Sequence, residues 1–238
     1  VLIGEVWVCS GQSNMEWEMQ KSATALRDLP LATCDNIRLY NMRPRWNFPC
    51  NGWEKEVLDS INSLVYYDET AWVSCIPETV KDFSAIAYYF GRMLADSLQV
   101  PVGLICNAIG GSPIEAWIER ETLEEYFPAV MRDWMKNDFI QKWVRERAMD
   151  NLKHAYTPLQ RHPYEPCYLY ETAILPIQHY AVRGAIWYQG ESNAHNIEAH
   201  EKLFTLLVNS WRKCLNNIDM PFFYVQLSSM DRPSWCWF

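Results

Sequence analysis

Five short runs of the chain are dense in β-branched and aromatic residues and nearly free of charge: residues 4–9, 37–42, 102–109, 183–188 and 222–227. Several are continuously apolar rather than alternating, the pattern of strands covered on both faces. Between them the period changes. Residues 85–98 put Ile86, Phe90, Leu94 and Leu98 on one helical stripe, with Ser84 as N-cap and Phe83 and Tyr88 in hydrophobic-staple positions. Residues 197–215 repeat the pattern with Leu203, Leu207, Trp211 and Cys214, behind Asn196 as cap. Strands alternating with helices predict a doubly wound parallel sheet, and we expect its five strands in the order 2-1-3-4-5.

Two segments exceed a minimal sheet. Residues 43–82, from Arg43-Pro44-Arg45-Trp46 to Lys81-Asp82, read as a surface excursion. Residues 114–157 are charged and helical, carry Trp117, Trp134 and Trp143, and read as an inserted helical layer. The Pro-rich residues 157–176 then return the chain to the sheet. No internal repeat, low-complexity tract or linker divides residues 1–238, which we read as a single domain.

Composition narrows the class. A chain of 238 residues, 49% of them hydrophobic, can bury a sizeable core. A formal net charge of −8 argues against nucleic acid, whose phosphates need clustered Lys and Arg, and against an anionic membrane surface. No apolar run approaches the length of a membrane span. The twelve Trp and thirteen Tyr fit either core aromatics or a sugar-binding cleft, and composition does not choose between them. Among the eight Cys there is no C-x-x-C pair. Cys9 and Cys106 fall in buried strands and read as small free hydrophobes. Cys34 and Cys50 could pair in an oxidising compartment, although spacing does not show it. The chain opens directly in a strand, with no secretory leader before it. We take its start as a boundary within a longer protein.

In open α/β sheets, ligands gather outside the carboxyl ends of the strands. Three of those ends carry polar or Gly-rich turns here: Ser10-Gly11-Gln12-Ser13-Asn14-Met15, Asn107-Ala108-Ile109-Gly110-Gly111-Ser112-Pro113 and Gln189-Gly190-Glu191-Ser192-Asn193-Ala194. A serine at a strand-to-helix turn can offer its hydroxyl to a cleft. A Gly-rich turn lets backbone N–H groups approach a substrate oxygen, and an Asn side chain adds a donor. Together they are the nucleophile and oxyanion hole of acyl transfer. Singly, each is more often a cap or a plain turn. Their joint appearance at three strand ends is what points to chemistry.

These blocks also carry a family resemblance. Gly4-Glu5-Val6-Trp7-Val8-Cys9-Ser10-Gly11-Gln12-Ser13-Asn14-Met15 resembles the first block of the sialate O-acetylesterase and acetylxylan-esterase branch of the SGNH hydrolases. Ile109-Gly110-Gly111-Ser112-Pro113-Ile114-Glu115-Ala116-Trp117 resembles its second, and Ala185-Ile186-Trp187-Tyr188-Gln189-Gly190-Glu191-Ser192-Asn193 its third. The resemblance implies a flavodoxin-like three-layer α/β/α sandwich around a five-stranded parallel sheet. It implies deacetylation of an O-acetylated carbohydrate, sialic acid or xylan-type, through an acetyl-enzyme and without a cofactor. Ser13 matches the nucleophile, Gly111 the oxyanion glycine and Asn193 the oxyanion side chain. Gln189 and Glu191 stand in the cleft wall, as sugar contacts or as scaffold of the turn. Tyr170 falls in a segment that resembles one approaching the active site. Relatives are often secreted or periplasmic and often carry a neighbouring β-domain.

One element of the pattern is missing. The family places a histidine just beyond the fifth strand, with an aspartate three residues before it; here eleven residues follow that strand and none is His. We expect the catalytic Asp/His block to lie beyond Phe238. Of the five histidines present, His195 is nearest to a site block, two residues after Asn193, and reads as a polar loop residue. His154 and His162 flank the Pro-rich return, His179 follows Leu175-Pro176-Ile177-Gln178, and His200 falls on a helix. No spacing suggests a metal. The rival readings are a non-catalytic carbohydrate-binding or scaffold domain, and a lipid or thioester hydrolase on the same fold. A continuous apolar groove beside Ser13 would favour lipid, whereas Trp, Gln and Glu around it would favour sugar.

Overall fold

The computed structural model describes residues 3–46 and 51–228 and places all five apolar runs in one sheet. Its strands are β1 (Glu5–Gly11), β2 (Cys34–Asn41), β3 (Val73–Cys75), β4 (Val102–Cys106), β5 (Val182–Tyr188) and β6 (Phe222–Tyr224), in spatial order β3-β2-β4-β1-β5-β6. All neighbours are parallel except β2 and β3.

The expected order 2-1-3-4-5 is corrected. The first strand lies not between the second and third but between the third and fourth of the expected set, flanked by β4 and β5. Burial supplies the reason. Val8, Cys9 and Ser10 of β1 carry no charge and are wholly buried, which suits the middle of a sheet covered on both faces. β2 carries Asp35 and Arg38 and lies one step from the edge. That edge is β3, a sixth, antiparallel strand from within residues 43–82. The segment is also more than a surface excursion. It forms α3 (Lys55–Asn62), whose Leu58 and Ile61 are fully buried, and it sends Trp53 and Tyr66 into the core.

The remaining helices are α1 (Ser13–Glu16), α2 (Ala25–Asp28), α4 (Pro77–Val80), α5 (Ala85–Leu98), α6 (Arg120–Tyr126), α7 (Lys142–Asn151) and α8 (Ile197–Cys214). α5 covers one face of the sheet. Ser84 caps it, its hydroxyl accepting the Ala87 N–H at 3.1 Å. The face α5 buries is Ala87, Tyr88, Gly91 and Ala95, not the large apolar stripe, which flanks the contact. Small residues win because the helix runs close to the sheet: a Cβ on Gly91 would lie 2.4 Å from Leu104. Trp7 and Cys9 of β1 join this core, while Val8 joins the other, as alternation along a strand requires.

On the opposite face lies α8, capped by Asn196, whose side chain accepts the Ala199 N–H at 3.0 Å. Leu203, Leu207 and Trp211 are fully buried there, as the stripe predicted, and Cys214 is half-buried. Residues 114–157 are packed into the same layer. Trp117, from the turn that follows β4, meets Trp187 of β5 and Trp211 of α8 edge-on or tilted, with ring centroids 5.7–6.3 Å apart. The Trp211 indole donates to the Trp117 carbonyl at 2.8 Å. The result is the expected three-layer α/β/α sandwich with its helical insertion. Cys9 and Cys106 are buried free thiols; Cys50 lies outside the described residues, so the suggested Cys34–Cys50 pairing does too. No described helix is long and apolar enough to cross a membrane.

Candidate active site

The carboxyl ends of β1, β4 and β5 meet in space because the three strands are neighbours. The first turn is fastened to the third by Gln12. Its N–H donates to the Tyr188 carbonyl at 2.9 Å, and its side-chain oxygen accepts from the N–H groups of Gly190 (3.2 Å) and Ser192 (3.4 Å). Gln12, in extended conformation, holds the N-cap position of α1, so Ser13 is the first helical residue and not the cap. Ser13 is exposed to the cleft. Neither its hydroxyl nor its N–H is engaged by another described residue.

The second turn lies against it: a Cβ on Gly110 would fall 3.6 Å from Ser13 Cβ. The Gly110 N–H donates to Glu16 Oε2 at 2.7 Å, and the Gly110 carbonyl accepts from the Tyr164 hydroxyl at 2.7 Å. In a trans peptide the N–H points opposite to the C=O. Tyr164 therefore turns the Gly111 N–H away from itself, and no described residue accepts it. Gly111 has φ +75°, and a Cβ there would meet the Tyr164 oxygen at 2.6 Å. Only glycine fits.

Around these groups is a cleft of about 450 Å³, lined among others by Glu16, Glu191, Arg147, Trp46, Tyr66 and Trp143. Burial pushes the Glu16 carboxyl above the ordinary glutamate range, the Gly110 N–H opposing it only in part. Burial also raises Glu191, whose Oε1 accepts from the Asn14 amide at 2.7 Å. Arg147 lies with its guanidinium 5.0 Å over the Trp143 ring.

Two candidate residues are placed elsewhere than expected. Asn193 is 2% exposed and does not line this cleft. Its Nδ2 donates to Glu115 Oε2 at 2.8 Å, and its Oδ1 accepts from the Ile114 N–H (2.9 Å) and Gln189 Nε2 (2.7 Å). Asn193 therefore ties the third turn to the second from behind; the buried Glu115 carboxyl takes the amide that sequence reasoning aimed at the cleft. Gln189 belongs to the same lock, donating also to the Ser112 carbonyl at 3.2 Å. Burial pushes the Glu115 carboxyl up to about 7, its Asn193 hydrogen bond opposing this. Tyr170 is 3% exposed, lies beside Cys214, and does not line the cleft either. Its segment packs inward, as a core aromatic. Glu191 does line the cleft.

No histidine lines it among the described residues. His162 is buried between the Tyr164 N–H, which donates to Nδ1 at 2.9 Å, and Asn151, and burial pushes it down to about 3. His195 Nε2 lies 3.2 Å from the Asp138 carbonyl. His200 lines a separate, more apolar cavity with Phe204 and Tyr224. His154 packs against Gly52, and His179 lies tilted against Tyr180 with ring centroids 4.2 Å apart. Sequence reasoning passed over Gln12, Asn14 and Glu16, which sit inside the first block itself. It also passed over Arg147, although Trp143 and Arg147 stand four apart and so share one face of α7.

The fold and the three meeting turns define a three-layer α/β/α domain with an open cleft at the sheet's carboxyl edge. A model of the carbohydrate esterase family of sialic acid-specific acetylesterases matches residues 3–237, and the chain belongs to that family. It is 29% identical to the sialate O-acetylesterase of Rattus norvegicus over 96% of this chain and 44% of that protein. To the Homo sapiens sialate O-acetylesterase it is likewise 29% identical, over 96% of this chain and 40% of that protein. The chain thus spans less than half the length of these curated relatives. Among solved structures it resembles a carbohydrate acetylesterase from Xanthomonas citri, with a TM-score of 0.66 and 26% identity, over 94% of this chain and 41% of that one.

Proposed function

We propose that this domain carries the acyl-transfer centre of a carbohydrate O-acetylesterase, with Ser13 as nucleophile. The observation that carries the reading is a serine hydroxyl against a Gly-Gly turn, where neither that hydroxyl nor the Gly111 N–H is engaged by another described residue. Ser13 Oγ attacks the acetyl carbonyl, and the N–H groups of Ser13 and Gly111 receive the developing oxyanion. The sugar alcohol leaves, and water hydrolyses the acetyl-enzyme to acetate. Asn193 and Gln189 hold the turns that present these donors. The serine proton ends on the departing sugar alcohol; among the described residues no histidine lines the cleft to relay it.

The lining favours sugar over lipid. Gln12, Glu16, Glu191 and Arg147 offer polar contacts beside Trp46, Tyr66 and Trp143, and among the described residues no continuous apolar groove adjoins Ser13. An O-acetylated sialic acid is the substrate class that the relatives' names support. The test is acetate release from O-acetylated N-acetylneuraminic acid by the protein that carries this domain. Gly111→Ala should reduce turnover at least a hundredfold, because the added methyl strains φ and pushes against Tyr164. Unchanged turnover would remove Gly111 from the oxyanion hole.

A further inference from the structure

In a chain of net charge −8, most buried or half-buried cations should be neutralised by neighbours. Arg145 on the same helix pairs with Asp138, and Arg161 pairs with Glu165 and Glu171. Arg147 pairs with no carboxylate, yet lines the Ser13 cleft as its one cation, among the described residues. It is not loose. Its guanidinium lies over the Trp143 ring and interacts electrostatically with the Tyr164 phenol, the same phenol that donates to the Gly110 carbonyl. Its Nη1 would stand 3.3 Å from a Cβ on Gly111. A guanidinium has five N–H donors in a planar fork, so the Tyr164 contact leaves donors to spare.

The cleft's carboxylates do not claim those donors. Glu16 is held by the Gly110 N–H, and Glu191 is held by the Asn14 amide. The site thus offers an oriented cation, with no ion-pair partner among the described residues, beside the Gly110-Gly111 turn and against an aromatic wall that limits its hydration.

We propose that Arg147 is a specificity-determining residue: its guanidinium holds the carboxylate of an acidic sugar whose O-acetyl group is presented to Ser13. This rests on the esterase reading above and adds to it that the cleft selects anionic over neutral acetylated sugars. Trp143 orients the planar guanidinium, which suits a bidentate contact to a carboxylate. Lysine at the same place supplies the charge without the fork.

The test is binding to the purified 1–238 chain, by ligand-observed NMR or calorimetry, of N-acetylneuraminic acid and its neutral methyl ester. Wild type should bind the acid about tenfold or more tightly than the ester, the size expected of a charge-assisted pair. Arg147→Met should bring the two to equality, Arg147→Lys should keep part of the preference, and Ser13→Ala should keep all of it. Circular dichroism and melting of Arg147→Met establish that the fold is retained; if it is not, the Lys variant decides alone. Equal affinities in wild type, no binding of the acid at millimolar concentration, or a preference that survives Arg147→Met overturns the proposal. Hydrolysis of p-nitrophenyl acetate, a neutral ester, by the protein that carries this domain separates the two readings. A lost acid preference with that hydrolysis intact removes the Arg147 reading alone. An intact preference with no Ser13-dependent hydrolysis removes the esterase reading and leaves an acidic-sugar site.

Discussion

A residue's place in a motif and the direction of its side chain are separate facts, and Asn193 shows the difference. The turn 189–194 reads from sequence as a site loop, and it is next to Ser13 in space. Yet the Asn193 amide is drawn to Glu115, a partner 78 positions away that local sequence does not reveal. The places of Ser13 and Gly111 in their turns, though not their roles, were legible because backbone geometry fixes them: a strand-to-helix turn exposes the first, and positive φ with a crowded Cβ demands glycine at the second. Asn193→Ala should therefore act on stability. It leaves Glu115 Oε2, the Ile114 N–H and Gln189 Nε2 short of a partner in a buried place, at a cost of about 2–4 kcal/mol. Denaturant melts check this, and a two- to threefold change in turnover without loss of stability would contradict it.

At the scale of elements, period and capping sufficed for α5 and α8, whose caps Ser84 and Asn196 bond as read. What the pattern missed on α5 was which stripe is pressed to the sheet, because Ala87, Gly91 and Ala95 are chosen for closeness rather than hydrophobic bulk. Gly91→Ala gains about 1 kcal/mol of helix propensity and loses about 1–3 kcal/mol by overpacking against Leu104. The net expectation is a lower melting temperature; a rise would mean that Leu104 yields without cost. β3 stayed hidden because three residues are too few for any period to show. The strand order was misread because the connections do not say on which side of β1 the chain returns. Charge on β2 was the available clue.

For the whole molecule, buried titratable groups set opposing pH dependences. Glu115 has its ordinary 4.5 raised to about 7, so the folded state holds its proton where the unfolded chain has lost it. Its contribution is fully present below about 4.5 and is lost as pH rises through 7, about 3 kcal/mol in all. His162 works the other way. Its ordinary 6.5 is lowered to about 3, so its contribution is present above 6.5 and is lost as pH falls toward 3. Glu115→Gln isolates the first effect. Relative to wild type it should be near neutral at pH 5 and stabilising at pH 8, and a difference independent of pH would contradict the raised carboxyl.

The central claim is that Ser13 is the nucleophile. The most direct measurement is acetate release from O-acetylated N-acetylneuraminic acid by the protein that carries this domain, comparing wild type with Ser13→Ala and His195→Ala. Ser13→Ala should fall to the uncatalysed rate while keeping its fold, since a methyl group cannot form the acetyl-enzyme, and His195→Ala should stay within about twofold of wild type. Turnover by Ser13→Ala within about tenfold of wild type would contradict the account and place the nucleophile elsewhere.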